Sequence, residues 1–227
     1  MEIVVSERWR QAYPGAVVGV LAMRGVANPT QHAGLERRRV ELEETLRVRY
    51  SGWDRAALKA LPVLQAYDAY YRRFRKTYHV QLQLESVALK GKPIPSGAGL
   101  VATMFMAELR DLLLTAVHDL DAVEPPMCIN VADGSERYVR MDGGDQELKA
   151  SDMFIADARG ILSSIIYGPD RRTSVAPETR AALFTTYAPP GVGPQAVRKH
   201  LMGICENVLV IAPEALVETL EVVVADG

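Results

Sequence analysis

The spacing of apolar positions changes partway along the chain. Residues 3–5 read as a short strand, and Ser6 is placed to cap a short helix running to Tyr13. Pro14-Gly15 then turns the chain into a continuous, Val-rich run at 16–23, which predicts a buried strand. From 34 to 50 the period is helical: Leu35, Leu42 and Leu46 share a face, and Arg37–Glu41, Arg39–Glu43 and Glu43–Arg47 pair four residues apart. Helical patterns follow at 54–59, 62–74 and 80–90. After a Gly/Pro break at 91–97, an apolar segment from 99 to about 116 predicts a core helix. Beyond about residue 125 the period becomes two. Strands are predicted at 127–131, 137–141, 153–156, 161–167 and 181–187, punctuated by the Asp133-Gly134 and Asp142-Gly143-Gly144 turns. A helix at 194–210 and a strand at 222–224 close the chain. Helices first and strands later, without βαβ alternation, predict an α+β fold. The expectation is a single domain over 1–227, helical in its first half and mainly antiparallel β-sheet in its second.

Composition narrows the function classes. The chain has 227 residues, 48% apolar and 24% charged, which suits a globular protein and excludes disorder. Lys plus Arg number 26 against 28 Asp plus Glu, so there is no chain-wide basic footprint for nucleic acid, although a local patch is compatible with these counts. Cys128 and Cys205 form no CxxC pair, and His32, His79, His118 and His200 share no zinc-ligand spacing with them, so no metal or other cofactor is expected. The charged N-terminus carries no signal-peptide pattern. No apolar run approaches the roughly 20 residues of a membrane helix. The expectation is a reduced, cytoplasmic protein.

Phosphate-loop, dinucleotide, nucleophile-elbow and metalloprotease motifs are missing. A longer-range pattern is present instead. Thr103-Met104-Phe105, then His118-Asp119-Leu120-Asp121, the Asp142-Gly143-Gly144 turn, Ile155-Ala156-Asp157, Tyr167-Gly168, the stretch Arg172 to Thr179, and Leu183-Phe184 follow in that order. This order resembles the B3/B4 domain of the bacterial phenylalanyl-tRNA synthetase beta subunit, and more closely the free-standing B3/B4 proteins. It covers about residues 60–190, with 1–59 and 191–227 as flanks.

The resemblance implies tRNA as partner, with hydrolysis of misacylated aminoacyl-tRNA as the associated activity. By that analogy His118 is the catalytic candidate, Thr103, Ser164, Gly168 and Thr185 contact substrate, and Asp121 supports the loop. Read without the analogy, His118 is a loop or cap residue, Asp121 a turn residue, Thr103 core packing and Gly168 a turn glycine. Three positions depart from the family pattern. Its Asn is Met104, a Gly is Ser164, and the Glu that reads a tyrosine phenol is Thr185, so selection for tyrosine is expected to be lost. Finally, Arg72, Arg73, Arg75 and Lys76 form a basic run among Tyr67, Tyr70, Tyr71, Phe74 and Tyr78. That run is either an RNA-binding patch or a helix with its aromatics turned inward. The alternative to a tRNA protein is a non-catalytic module for RNA or for an amino-acid-like small ligand.

Overall fold

The computed structural model describes residues 1–226. The first half runs β1 (Ile3–Val5), α1 (Glu7–Ala12), β2 (Val17–Arg24), α2 (Ala33–Arg49), α3 (Arg55–Lys59), α4 (Pro62–Arg72), α5 (His79–Leu84) and α6 (Gly99–Asp111). The second runs β3 (Leu114–Asp119), β4 (Met127–Val131), β5 (Arg137–Val139), β6 (Asp145–Glu147), β7 (Met153–Asp157), β8 (Gly160–Ser164), β9 (Gly168–Pro169), β10 (Ala181–Ala188), α7 (Pro194–Ile211) and β11 (Leu216–Val224). The fold is α+β. Ser6 caps α1 as its position predicts, its hydroxyl accepting from the Trp9 N–H.

Two sheets form the core. One is antiparallel in the order β11-β2-β10-β3, and the other has the order β1-β4-β7-β8-β9 with only β1–β4 parallel. A separate two-stranded ribbon pairs β5 with β6. β2 therefore sits inside the first sheet, between β10 and β11, so the chain termini supply two of its four strands.

Register assigns the faces of that sheet. His118, Ala116 and Leu114 on β3 lie opposite Leu183, Thr185 and Tyr187 on β10, sharing one face. That face meets the second sheet, where the Tyr187 hydroxyl bonds Ser163 on β8. The opposite face carries Gly19, Thr115 and Thr186 and is covered by α7. Gly19 lacks a side chain because α7 passes too close for one.

The helix α4 binds the two sheets together. Tyr67, Tyr70, Tyr71 and Phe74 follow i, i+3, i+4, i+7 spacing, and all four are buried. The Tyr67 hydroxyl donates to the Tyr187 carbonyl on β10 and accepts from the Leu114 N–H on β3. Tyr71 donates to the Ile165 carbonyl just beyond β8, at 2.8 Å. Tyr70 bonds Asp152 and accepts from the Met153 N–H, at 2.9 and 2.7 Å.

Several elements depart from the sequence expectation. The helix predicted to run to about residue 116 stops at Asp111. Leu112 takes a left-handed φ of 61°, and its N–H returns to the Glu108 carbonyl. The apolar run continues as β3, a strand whose beginning is hidden in a helix-like pattern. The strand predicted at 161–167 ends at Ser164, and residues 165–167 turn the chain into the short β9.

Gly19→Ala tests the helix-on-sheet packing. Its added Cβ would stand 2.5 Å from Val197 Cγ1 and 3.0 Å from Leu201 Cδ1. Urea unfolding is expected to show a loss of about 1–3 kcal/mol, typical of overpacking. Unchanged stability would place α7 elsewhere.

Candidate functional site

A cavity of about 330 Å³ opens between the outer edge of β3 and the segment 164–169 that joins β8 to β9. Met104, Phe105 and Glu108 of α6 and His79 of α5 close its sides. The walls are mostly apolar, with a few convergent polar groups, as in ligand pockets generally. Its polar focus is Glu108. The left-handed turn at Leu112 folds β3 back against α6, and the Glu108 carboxylate accepts from the Thr115 N–H at 2.7 Å. Burial raises the Glu108 pKa to about 8, with the Thr115 bond opposing the shift. Glu108 is consequently largely protonated at neutral pH. His79 is pushed below its usual value by burial and stays neutral.

The residues expected from sequence divide into two groups. Ser164 and Gly168 line this cavity. Gly168 has a φ of +80°, a conformation that suits glycine, while its carbonyl accepts from the Tyr138 hydroxyl. Met104, one of the departures from the family pattern, also lines it and makes it more apolar.

His118, Thr185 and Thr103 do not line it. His118 shares a sheet face with Thr185 but is 0% exposed, held by Thr173 at 2.8 Å and Ser163 at 3.2 Å. Burial and the Arg172 charge lower its pKa to about 3, so the imidazole is neutral. Thr185 is buried with its hydroxyl unpartnered. The Thr103 hydroxyl bonds back to the Leu100 carbonyl, while its own carbonyl accepts from Asn207 of α7. Asp121 is exposed and paired with Arg24. The neighbouring Asp119 orients the loop, accepting from the Asp121 N–H and the Thr179 hydroxyl.

The sequence pattern itself converges. Besides the Asp119–Thr179 bond, Thr173 joins His118 to Asp170. Arg172 bonds Asp157 at 2.9 Å and the Ala122 carbonyl at 2.7 Å. Three of the ordered pieces, 118–121, 155–157 and 172–179, thus join in one polar network that ties β3, the β7–β8 hairpin and the 170–179 loop together.

The basic run is largely engaged. Arg72 pairs with Asp68, Arg73 lies over the Tyr13 ring at 5.0 Å, and Lys76 lies over the Tyr167 ring at 4.3 Å. The surrounding aromatics are buried, which removes them as stacking platforms for bases. Sequence reasoning missed Glu108, His79 and the backbone of Thr115. The available signal was an acid at a core position of an apolar helix, four residues after Met104.

No protein-family model matches the chain, and no curated protein matches it in sequence. Among solved structures, an N-terminal fragment of the phenylalanyl-tRNA synthetase beta-subunit from Pyrococcus horikoshii is similar, with a TM-score of 0.49 at 11% identity. The similarity covers 97% of this chain and 50% of that one, so the chain spans half the length of the fragment. No helix among the described residues is long and apolar enough to cross a membrane.

Glu108→Gln tests the electrostatics of the cavity. The carboxyl titrates near 4.5 when unfolded and about 8 when folded. Below about 4.5 both states hold the proton. Between these values the unfolded chain ionises first, so stability falls as pH rises, and the loss is complete above about 8. The slope from one such group is at most about 1.4 kcal/mol per pH unit. Glutamine keeps an acceptor for Thr115, so chemical denaturation should show the variant gaining on wild type from pH 5 to pH 8. Parallel pH profiles for the two proteins would contradict the assignment.

Proposed function

We propose that the chain is a tRNA-binding unit of the B3/B4 type, whose cavity receives the aminoacyl end of a charged tRNA. The cavity carries this reading. It lies at the small end of the usual range for ligand pockets, suited to one amino-acid-sized group rather than a nucleoside. Met104, Phe105 and Ile166 offer an apolar wall for a side chain, and Glu108 offers a carboxyl for an α-amino group. The order of the sequence pieces resembling B3/B4 supports the same reading, because Gly168 of one piece and Met104 and Phe105 of another line the cavity.

An entering neutral α-amino group takes the proton from Glu108, and the ammonium and carboxylate so formed make a charge-assisted hydrogen bond. Lys76, held over the ring of the cavity-lining Tyr167, places a positive charge next to the cavity wall. Ester hydrolysis, in this reading, places water against the ester carbonyl carbon. The ester C–O bond breaks, and the ribose hydroxyl leaves with a proton. Glu108 is the group positioned to relay that proton, and His118 acts through the fold beneath it.

A second reading is a module for a free amino-acid-like ligand, without RNA. It is favoured by the engagement of Arg72, Arg73 and Lys76 with partners inside the protein.

Fluorescence anisotropy with charged tRNA, carrying a non-hydrolysable amide link, and with the uncharged form tests the proposal at low salt. Wild type should prefer the charged form by about tenfold or more, and Glu108→Gln should remove that preference. A charged hydrogen bond of about 1.5–3 kcal/mol corresponds to a change of this size. Equal affinities for the two forms in wild type would overturn the aminoacyl assignment. Affinity for an aminoacyl amide but for neither tRNA would establish the second reading. A deacylation panel of mischarged tRNAs reports on the hydrolytic step.

A further inference from the structure

A second cavity, of about 450 Å³, lies between the C-terminal ends of α2 and α6 and the first turns of α7. Four cationic side chains from three helices meet there: Arg49, Arg110, Arg198 and Lys199, against the acidic Asp111 and Glu206. A chain of net charge −2 therefore concentrates positive charge in one concavity. Arg49, Arg198 and Lys199 are exposed and form no ion pair among the described residues.

Arg110 is held in place rather than free. Its Nε and Nη2 bond Asp111 at 3.0 and 2.6 Å, and its guanidinium lies against Gly203. A Cβ on Gly203 would stand 1.8 Å from Nη2, so this glycine is the floor on which the arginine rests. Asp111 is fixed in turn by His200 at 3.0 Å. Burial opposes its ionisation, but His200 and Arg110 outweigh burial and hold its pKa at about 2. A fixed guanidinium beside exposed cations that form no ion pair suits recognition of a phosphate group.

The two cavities are joined by one residue. The Thr115 N–H bonds Glu108 in the first, and its hydroxyl bonds His200 at 2.7 Å, which holds Asp111 in the second.

We propose that this second cavity is a phosphate-binding site that seats the RNA backbone while the first cavity holds the aminoacyl end. The assignment rests on the tRNA reading, and it moves the main RNA contact from the 72–76 run to the α2–α6–α7 corner.

The test is the triple variant Arg49→Gln, Arg198→Gln, Lys199→Gln. All three positions are exposed, so the fold is expected to persist, with thermal unfolding as the check. Anisotropy is read across a salt series with uncharged tRNA and, separately, with an aminoacyl amide that can reach only the first cavity. The expected result is a loss of about tenfold or more in tRNA affinity at low salt. The salt slope should flatten by about 0.7–0.9 for each lost phosphate contact. Affinity for the amide should be unchanged. An unchanged tRNA affinity and slope in the triple variant would overturn the second site and leave the first intact. Loss of tRNA binding in Arg72→Gln/Arg75→Gln instead would return the contact to the 72–76 run. Wild type that binds the amide but no tRNA would overturn both the RNA reading and this site. Saturation of the cavity by inorganic phosphate with no tRNA affinity would reassign it to a free anion and overturn the proposal.

Discussion

The hydroxyl groups of α4 fix the distance between the two sheets. Tyr67 reaches β3 and β10 in one sheet, and Tyr71 reaches the end of β8 in the other. The principal cavity lies between those attachment points, so its width is set by a helix that is mostly outside it. The interaction is strong for two reasons. The rings are buried together, with Tyr67 stacked on Tyr78 at 4.1 Å, and each named hydroxyl satisfies a main-chain group that would otherwise be orphaned. Burial raises the pKa of Tyr67, Tyr70, Tyr71 and Tyr78, which keeps them protonated as donors.

The same economy separates structure from chemistry elsewhere. His118, Asp119, Asp157, Asp170, Arg172, Thr173 and Thr179 interlock, and the group that gives the cavity its character is Glu108 on another element. A polar network of this kind needs particular residues at particular places, because a buried donor left without its acceptor is costly. That requirement gives the residue type at each position of the network a structural reason. Ser164 and Gly168 stand at the boundary, since they line the cavity at the end of the β8–β9 turn.

Much of the architecture was legible in the residues. Ser6 as a cap, the Val-rich β2, the tyrosine face of α4 and the α+β order all follow from local chemistry and periodicity. β3 was not legible, because Leu112, Leu113 and Leu114 continue an apolar helical pattern and no glycine marks the left-handed residue at 112. The central place of β2 depends on pairing with β10 and β11, strands more than 150 residues away, and period alone holds no information about partners. The candidate site was legible in part. Ser164 and Gly168 were reached by resemblance, whereas Glu108 looked like one acid among apolar neighbours until the turn at Leu112 placed it on the Thr115 N–H. The basic run showed its charge in sequence but not its partners, which come from Asp68, Tyr13 and Tyr167.

The account turns on a buried acid that ionises when an amine arrives. Carboxyl-carbon NMR of selectively labelled glutamate measures this directly, with the Glu108→Gln spectrum assigning the resonance. Glu108 should titrate near pH 8 in the free protein, and addition of an aminoacyl amide should move its midpoint downward. A midpoint near 4.5, or one that the amide leaves in place, would contradict the account.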